Sequence, residues 1–288
     1  MTAPEQLDLT HTGTLIPLLQ RYGFSTRKSL GQHFLISRHV LEQILTACAL
    51  EDGAPVLEIG PGIGTLTRAL AESGAEVTAV ELDRHAVEVL QETVGMFPSI
   101  QVIQGDILHI DLPALLGDAQ WTVVGNLPYY ITTPVISRLL EVASRLRRMV
   151  LMVQREVADR LIAPPGGKIY GSLSVYAQVY ANVERIARVP KGAFLPPPTV
   201  ESAVVRLTPH PEPRVPAPLQ PCFFSVVRAA FGQRRKMLEN ALIGADVLGG
   251  DRHAIAEALR AAGIDSTRRG ETLSIEEFLR VTEQVIRA

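Results

Sequence analysis

The segment Val56-Leu-Glu-Ile-Gly60-Pro-Gly62-Ile-Gly64 has the pattern of a buried strand that runs into a glycine-rich turn. A helix is predicted to begin at Thr65 or Thr67, because apolar residues recur at helical spacing after that point. This order of strand, glycine turn and helix is the context in which a glycine loop binds a nucleotide. The segment therefore predicts an α/β fold that is built around a nucleotide-binding loop.

Two further predicted strands end in acidic residues. The strand 76–81 ends at Glu81, which lies 21 positions after Gly60, and the strand 100–106 ends at Asp106. An acid at the end of the second strand of such a fold binds ribose hydroxyls in many nucleotide-binding proteins. The alternative for each acid is a solvated residue at a strand end. Because both acids follow the glycine loop in order, the nucleotide-binding interpretation is favoured.

The spacing of the glycines favours one cofactor. A nicotinamide enzyme typically has Gly-x-Gly-x-x-Gly, whereas the glycines here are at positions 60, 62 and 64. S-adenosylmethionine fits this arrangement better. Gly60 and Gly62 would allow its methionine part to approach closely. Glu81 would bind the ribose, and Asp106 would bind the adenine amino group. We therefore predict a Rossmann-like, doubly wound S-adenosylmethionine-dependent methyltransferase domain.

The segment Trp121-Thr-Val-Val-Gly125-Asn126-Leu127-Pro128-Tyr129 places polar groups after the fourth predicted strand, where ligands of open parallel sheets bind. An amine on a nucleobase is a poor nucleophile because its lone pair is delocalised into the ring. The Asn126 amide oxygen and the Leu127 carbonyl would accept both N–H bonds of such an amine, and Tyr129 would stack on an extruded base. The alternative is a turn with a half-buried tyrosine.

The composition predicts a chain with a sizeable hydrophobic core and with neither disulfide bonds nor a bound metal ion. Hydrophobic residues make up 47% of the 288 residues and charged residues 20%. The two cysteines, Cys48 and Cys222, form no metal-ligand pattern, so we expect no disulfide and no metal. Apolar runs stay shorter than the ~20 residues of a membrane span, and the N-terminus has no signal layout. We therefore expect no membrane partner and a cytoplasmic location.

The net charge of −2 hides local basic stretches. Residues 9–41 and 213–238 contain no acid, and a third group of arginines lies between positions 138 and 160. Such stripes bind phosphate backbones, although each one taken singly also fits an ordinary solvated face. The residues predicted to bind RNA are Arg27, Lys28, Arg147, Arg148, Arg234, Arg235 and Lys236.

The chain is predicted to hold two domains. Residues 1–210 form the methyltransferase domain, with an N-terminal helical extension at 12–50 and a helix at 131–146. Six prolines between positions 209 and 221 indicate a linker, taken as 211–221. Residues 222–288 are predicted to form a small all-helical, RNA-binding domain whose second helix covers 235–242.

The sequence resembles the ribosomal RNA adenine N6-dimethyltransferases from about residue 28 to 279, and among them the KsgA type, which modifies small-subunit RNA. The matching segments are Gly31-Gln-His-Phe-Leu35, Leu57-Glu-Ile-Gly-Pro-Gly62, Asn126-Leu-Pro-Tyr129, Phe194-Leu-Pro-Pro-Pro-Thr-Val-Glu-Ser-Ala-Val-Val-Arg-Leu207 and Phe231-Gly-Gln-Arg-Arg-Lys-Met-Leu-Glu-Asn240. The first three segments are shared with relatives that act on large-subunit RNA, and the last two are more particular to the small-subunit type.

This resemblance implies dimethylation of N6 on two adjacent adenosines near the 3′ end of small-subunit (16S) ribosomal RNA, late in subunit biogenesis. The expected partner is small-subunit RNA within an immature ribosomal subunit, and we expect the protein to be a monomer. The resemblance adds His33, Leu35 and Asn126 to the predicted cofactor contacts, and Phe194 as a second stacking wall beside Asn126, Leu127 and Tyr129. His33 stands where the family often has asparagine, so a loop-packing histidine is its alternative. A buried core phenylalanine is the alternative for Phe194.

Two other functions remain open at the level of sequence. The chain could methylate adenine in large-subunit ribosomal RNA or in DNA, because the glycine loop and the Asn-Leu-Pro-Tyr segment do not select the polymer. It could also serve mainly as a non-catalytic assembly factor that occupies an immature ribosomal surface.

Overall fold

The structure is a computed structural model that describes residues 7–23 and 33–288. The chain divides into two compact units. The first unit contains the described residues up to Ala158 together with Val183–Pro209, and the second contains Asp159–Asn182 and His210–Ala288.

The first unit is organised around a seven-stranded sheet. The strands of the described residues are β1 (Phe34–Leu35), β2 (Pro55–Ile59), β3 (Glu76–Glu81), β4 (Ile100–Gln104), β5 (Trp121–Asn126), β6 (Leu146–Gln154), β7 (Ala181–Val189), β8 (Phe194–Leu195) and β9 (Ser202–Pro209). The order in the sheet is β4-β3-β2-β5-β6-β9-β7. The strands from β4 to β6 are parallel, and β9 pairs antiparallel with β6. The two short strands β1 and β8 form a separate antiparallel pair.

Helices connect the strands and build the second unit. They are α1 (Thr12–Arg21), α2 (Arg38–Cys48), α3 (Thr65–Glu72), α4 (Arg84–Val94), α5 (Leu112–Leu116), α6 (Thr132–Glu141), α7 (Arg155–Ile162), α8 (Ser172–Tyr180), α9 (Gln220–Gly232), α10 (Leu238–Gly244), α11 (Arg252–Ala261) and α12 (Ile275–Arg287). In the part of the chain that the structure describes, no helix is long and apolar enough to cross a membrane.

The parallel strands form because their side chains are buried, as expected for strands covered by helices. Val56 and Val77 on neighbouring strands pack in one core cluster with Ile44 of α2 and Leu70 of α3. Each such side chain contributes about 1.5–3 kcal/mol when it is fully buried. Ser37 begins α2 by accepting a hydrogen bond from the Val40 backbone N–H. The buried strands hold the loops at their carboxyl ends in fixed positions.

Two predicted helices have different limits in the structure. The predicted helix 131–146 ends at Glu141, because Leu146 already begins the buried strand β6. The predicted helix 235–242 begins only at Leu238, since α9 ends at Gly232 and Gln233 leaves helical geometry with φ −129° and ψ 62°. The residues between these helices form an exposed turn.

The second unit contains a segment that the sequence assigned to the first domain. Tyr170 and Val175 lie in the same apolar core as Phe223 and Phe278, so Asp159–Asn182 belongs with the C-terminal helices. The proline-rich stretch also belongs to this unit, because Val215 is fully buried in the same core. The structure therefore differs from the predicted boundary at residue 210 and from a detached linker at 211–221.

Candidate active site

A pocket in the first unit lies at the carboxyl ends of the parallel strands. The register brings these ends to one edge, because Ile59 pairs with both Val80 and Gly125, and Asn126 pairs with Met152. The predicted cofactor residues all line this pocket: His33, Leu35, Gly60, Gly62, Glu81, Asp106 and Asn126. The structure thus brings together side chains that are up to 93 positions apart in sequence.

The glycine loop is held in a conformation that larger residues rarely adopt. Gly62 and Gly64 have φ values of +58° and +93°, which glycine reaches at little cost. A Cβ atom on Gly64 would lie 2.8 Å from the Leu90 Cδ1 atom, so this glycine also lets α3 and α4 pack closely. Gly60 and Gly62 therefore place backbone without a side chain against the pocket.

Glu81 is bound to the glycine loop. Its carboxylate accepts hydrogen bonds from the backbone N–H groups of Gly62 at 2.9 Å and Asp83 at 2.8 Å. The residue is 8% exposed, and burial raises the pKa of its carboxyl group. Each carboxylate oxygen has two acceptor positions, so this carboxylate can still accept bonds from ligand hydroxyls.

Asp106 caps the turn that follows β4. One of its carboxylate oxygens accepts a hydrogen bond from the Leu108 backbone N–H at 2.9 Å, and the other lies 2.9 Å from Nδ1 of His109. Arg138 of α6 fixes the same turn, because its guanidinium donates to the carbonyl oxygens of Ile107 at 3.1 Å and Ile110 at 2.8 Å. The position of Asp106 therefore depends on a helix that is distant in sequence.

A hydrogen bond to His33 orients the Asn126 side chain. Its side-chain Nδ2 donates to the His33 carbonyl oxygen at 2.9 Å, which leaves the amide oxygen as the acceptor of this side chain. The Leu127 backbone N–H donates to the Met152 carbonyl at 3.1 Å and fixes the next peptide. The segment thus presents an amide oxygen at the rim of the pocket in a fixed direction.

Tyr129 lies next to His33, which lines the pocket. Their ring centroids are 6.0 Å apart with an interplanar angle of 29°, and the Tyr129 hydroxyl lies 2.7 Å from the Ser202 hydroxyl. Nδ1 of His33 lies 2.8 Å from the Pro196 carbonyl oxygen and donates to it, since a carbonyl only accepts. The His33 ring therefore packs beside Tyr129 and bonds to Pro196, while the His33 backbone carbonyl orients Asn126.

Phe194 does not face the pocket. It is 2% exposed and belongs to the core cluster that contains Val56 and Val204. The pairing of β8 with β1, in which Phe194 opposes Leu35, holds it there. The structure gives Phe194 the position of a core residue, which was its alternative interpretation, and its stacking role stays a prediction.

Tyr130 and Glu58 are among the lining residues that sequence reasoning missed. Tyr130 follows the predicted Tyr129 directly and is 56% exposed. Glu58 lies within β2, is 1% exposed and borders the same pocket. The available signal for Glu58 was an acid inside the otherwise apolar run Val56-Leu-Glu-Ile59.

The basic residues predicted on β6 lie away from the pocket. Arg147 pairs with Glu51 at 2.8 Å, and Arg148 pairs with Thr122 in the sheet, near the amino end of the strand. Asn126 lies beside the other end of β6, opposite Met152. Arg147 and Arg148 thus take part in an ion pair and in the sheet at a distance from the pocket. Arg27 and Lys28 lie outside the described residues.

The basic residues of the second unit lie in the exposed turn between α9 and α10. Arg235 and Lys236 are exposed there. Arg234 donates to the Tyr170 carbonyl oxygen and lies over the Phe231 ring at 5.8 Å from its centroid. Arg234 therefore supports the turn, while its two neighbours are presented to solvent.

The chemistry of the pocket fits S-adenosylmethionine. Glu81 and Asp106 supply acceptors for ribose hydroxyls and an exocyclic amine, and the glycine loop leaves backbone exposed to the methionine part. Among the described residues, no group of three or more His, Cys, Asp or Glu side chains is placed to hold a metal ion. The fold and the site define a Rossmann-like S-adenosylmethionine-dependent methyltransferase.

Comparison with known proteins narrows this class. The family model of the ribosomal RNA adenine dimethylases matches residues 23–286. The ribosomal RNA small subunit methyltransferase A of Desulfitobacterium hafniense is 49% identical over 267 residues, which is 92% of this chain and 94% of that protein. The corresponding protein of Alkaliphilus metalliredigens is 43% identical over 272 residues, covering 93% and 94%. This chain belongs to the ribosomal RNA adenine dimethylase family.

Solved structures agree with this assignment. The 23S rRNA methyltransferase ErmE superposes with a TM-score of 0.69 at 27% identity, covering 88% of this chain and 99% of ErmE. A dimethyladenosine transferase from Plasmodium falciparum superposes with a TM-score of 0.73 at 23% identity, covering 86% of this chain and 96% of that protein. At this identity the likeness supports the fold alone. The predicted fold class, enzyme class and cofactor are confirmed.

Proposed function

We propose that this chain transfers methyl groups from S-adenosylmethionine to N6 of two adjacent adenosines near the 3′ end of small-subunit ribosomal RNA. Each adenosine would receive two methyl groups while the subunit is still immature. The observation that carries the proposal is the orientation of Asn126, whose amide nitrogen donates to the His33 carbonyl. This bond turns the amide oxygen towards a hydrogen-bond donor such as an exocyclic amine.

The cofactor roles of the lining residues follow from their chemistry. The backbone at Gly60 and Gly62 lies against the methionine part, with Leu35 and His33 completing the wall. Glu81 accepts bonds from the ribose hydroxyls, and Asp106 accepts a bond from the adenine amino group. S-adenosylmethionine, when bound, supplies an electrophilic methyl group. The residues of the chain position it and exclude water from it.

The target amine is activated by two hydrogen bonds. The Asn126 amide oxygen and the Leu127 carbonyl accept the two N–H bonds, which draws the amine towards tetrahedral geometry and frees its lone pair. Tyr129 holds the extruded base by stacking on it. A general base is not needed before attack, because the methylated ammonium is acidic and loses its proton readily. Catalysis is therefore positioning together with fixed hydrogen-bond acceptors.

The choice of small-subunit RNA rests on the relatives. Proteins that are 43–49% identical to this chain are named small-subunit methyltransferases, whereas ErmE, named as a 23S rRNA methyltransferase, is 27% identical. The exposed basic turn with Arg235 and Lys236 provides phosphate contacts. We further propose that the protein acts as a cytoplasmic monomer on an immature ribosomal particle.

The substitution Asn126→Ala tests the mechanism. We expect turnover on small subunits to fall by at least about 100-fold, because removing one fixed hydrogen-bonding group from a reacting site costs about 10²–10³ in rate. Cofactor affinity should fall less, since the glycine loop, Glu81 and Asp106 remain. Methyl transfer is measured in single turnover with saturating cofactor, and cofactor binding by calorimetry.

The matched control is Asn182→Ala, which removes an exposed asparagine of β7 outside the pocket. This variant should turn over at the wild-type rate. Wild-type turnover by the Asn126→Ala variant would contradict the proposed role of the amide.

A further inference from the structure

Tyr130 is exposed beside the site of methyl transfer. It is the one aromatic residue among the exposed large hydrophobic side chains of the described residues, and it is 56% exposed. Tyr130 also lines the pocket at the carboxyl ends of the strands. An aromatic ring buries a large area when a partner covers it, so an exposed ring next to a reaction site is a candidate contact for a ligand.

The backbone at Tyr130 is held in a tight turn. The Ile131 backbone N–H donates to the Pro128 carbonyl oxygen at 3.1 Å, so Tyr129 and Tyr130 are the two central residues of the turn. The Thr132 hydroxyl donates to the same carbonyl oxygen at 3.2 Å, and α6 begins at this residue. Because the backbone is already fixed, ordering the Tyr130 side chain against a ligand costs little entropy.

The two tyrosines of this turn have different surroundings. Tyr129 is half-buried, with its ring beside His33 and its hydroxyl 2.7 Å from the Ser202 hydroxyl. The proposed function assigns the target base to Tyr129, which leaves the exposed ring of Tyr130 for a second group. Since the proposed substrate has two adjacent adenosines, a second base lies next to the first in the same strand.

A cation lies near the hydroxyl end of Tyr129. In the register of the sheet, Gln154 at the carboxyl end of β6 pairs with Ser202, whose hydroxyl lies beside that of Tyr129. Arg155 follows Gln154 directly, and its Nη1 atom lies 2.5 Å from a carboxylate oxygen of Glu201. The two side chains are 56% and 47% exposed. An exposed ion pair contributes little to stability, so Arg155 can exchange Glu201 for an RNA phosphate at small cost.

This combination favours single-stranded RNA as the partner. Proteins that bind single-stranded nucleic acid combine aromatic rings, on which bases stack, with cations that contact backbone phosphates. The surface around Tyr129 carries both, in Tyr130 and Arg155. Arg147 also forms an exposed ion pair, but it lies near the amino end of β6, at the opposite edge of the sheet. Its place beside the acceptor site is therefore what distinguishes Arg155.

We propose that Tyr130 and Arg155 bind the nucleotide next to the target adenosine, with Tyr130 stacking on its base and Arg155 pairing with a phosphate of the same strand. This contact selects a purine beside the target, because a purine stacks on an aromatic ring over a larger area than a pyrimidine does. The polarity of the RNA strand fixes which neighbour meets Tyr130, so the second adenosine supplies this purine for one of the two targets. The inference rests on the proposed function and names what determines the sequence accepted beside the target.

Small subunits reconstituted with altered small-subunit RNA test the stacking contact. Each target adenosine in turn is replaced by guanosine or by uridine, which leaves one acceptor adenosine beside a purine or a pyrimidine. In one of the two series we expect the wild type to have a kcat/KM about fivefold higher with guanosine than with uridine, because stacking on the ring is lost. The other series should show no such preference.

Variants of Tyr130 assign the preference to its ring. Tyr130→Ala should lose the preference and lower kcat/KM beside guanosine by about tenfold, whereas Tyr130→Phe should keep both within about threefold. The Kd of S-adenosylmethionine, measured by calorimetry, should stay unchanged in both variants. The matched control is Met96→Ala, which truncates an exposed hydrophobic side chain outside the pocket and should behave as the wild type.

Salt dependence tests the phosphate contact. Arg155→Gln should reduce the slope of log K against log salt for small-subunit RNA by about 1. The matched control is Arg147→Gln, which removes an arginine from an exposed ion pair near the other end of β6 and should keep the wild-type slope. Glu201→Gln frees Arg155 and should strengthen RNA binding without changing cofactor affinity.

Three results would overturn the inference. The first is a purine preference that is absent from the wild type or persists in Tyr130→Ala. The second is weaker binding of S-adenosylmethionine by Tyr130→Ala with the preference intact, which would make Tyr130 a wall of the cofactor pocket. The third is an unchanged salt slope in Arg155→Gln. Failure of the wild type to methylate unaltered small subunits is a different result, because it contradicts the proposed function itself.

Discussion

Tyr129 is fixed at both parts of its side chain, through its ring beside His33 and through its hydroxyl beside Ser202. If its role is to stack on the target base, the ring matters and the hydroxyl does not. Tyr129→Phe should keep kcat/KM for the RNA within about threefold, because a single neutral hydrogen bond contributes about 0.5–1.5 kcal/mol. Tyr129→Ala should lower it by about 10- to 100-fold, because base stacking contributes about 1–3 kcal/mol.

Cofactor binding provides the control for this pair of variants. Tyr129 does not line the pocket, so both substitutions should leave the Kd of S-adenosylmethionine unchanged. Equal loss of kcat/KM in the Phe and Ala variants would show that the hydroxyl, rather than the stacked ring, carries the function.

The sequence was informative for residues that follow strands. Glu81, Asp106 and Asn126 were predicted because the ends of parallel strands meet at one edge of a sheet, and the structure brings them to one pocket. Glu58 was missed because its burial beside the pocket depends on three-dimensional contacts that the sequence does not show. The burial of Phe194 likewise depends on the pairing of β8 with β1, whose two residues are too short for any periodicity.

At the scale of elements, α6 positions the turn after β4 through Arg138. Its two hydrogen bonds to the Ile107 and Ile110 carbonyls hold the turn that carries Asp106. Arg138→Ala should weaken the binding of S-adenosylmethionine by about tenfold. Loss of two charge-assisted hydrogen bonds costs a few kcal/mol of stability in the turn, and only part of that cost lowers the affinity for the cofactor. The preference for adenine over hypoxanthine in the cofactor should decrease with it.

A second arginine offers a matched control. Arg145 donates in the same way to the Pro113 and Gly117 carbonyls of the following connection, which does not line the pocket. Arg145→Ala should lower thermal stability without changing cofactor affinity or base preference. If Arg145→Ala weakened the cofactor as much as Arg138→Ala does, the effect would be general destabilisation and not positioning.

Strand cores were easier to predict than the ends of helices. The strand 76–81 has the limits that the sequence indicated, because the residues from Val77 to Val80 are all buried and acidic residues mark its two ends. The helix predicted at 131–146 was too long, since Leu139 and Leu140 fit helical burial while Leu146 belongs to a strand that packs equally well. A run of apolar residues does not by itself show where a helix ends and the next strand begins.

At the scale of the whole molecule, methyl transfer and the exposed basic turn belong to different units. The double substitution Arg235→Gln with Lys236→Gln should therefore weaken RNA binding without changing the Kd of S-adenosylmethionine. Loss of one or two phosphate contacts should reduce the slope of log K against log salt by about 1 to 2. RNA affinity is measured by filter binding over a range of salt concentrations.

Arg287→Gln is the control for loss of a surface charge, because it removes an exposed arginine at the end of α12, outside the turn. The slope for this variant should equal that of the wild type. An unchanged slope in the double variant would indicate that Arg235 and Lys236 do not contact phosphates.

The two-unit organisation was only partly predictable. The helical C-terminal region followed from its apolar periodicity, and the structure confirms helices there. The assignment of Asp159–Asn182 to the second unit did not follow, because this segment lies between strands of the first unit in sequence. Its place is set by Tyr170 and Val175, which bury against residues that come much later in the chain.

The most direct test of the central claim uses tritiated S-adenosylmethionine and small ribosomal subunits from a strain that lacks this gene. Labelled RNA is digested to nucleosides, and large subunits are treated in parallel. The account predicts label in small-subunit RNA as N6,N6-dimethyladenosine, at about four methyl groups per subunit, as two methyls on each of two adenosines require. Label in large-subunit RNA instead, or binding to small subunits without any methylation, would contradict it.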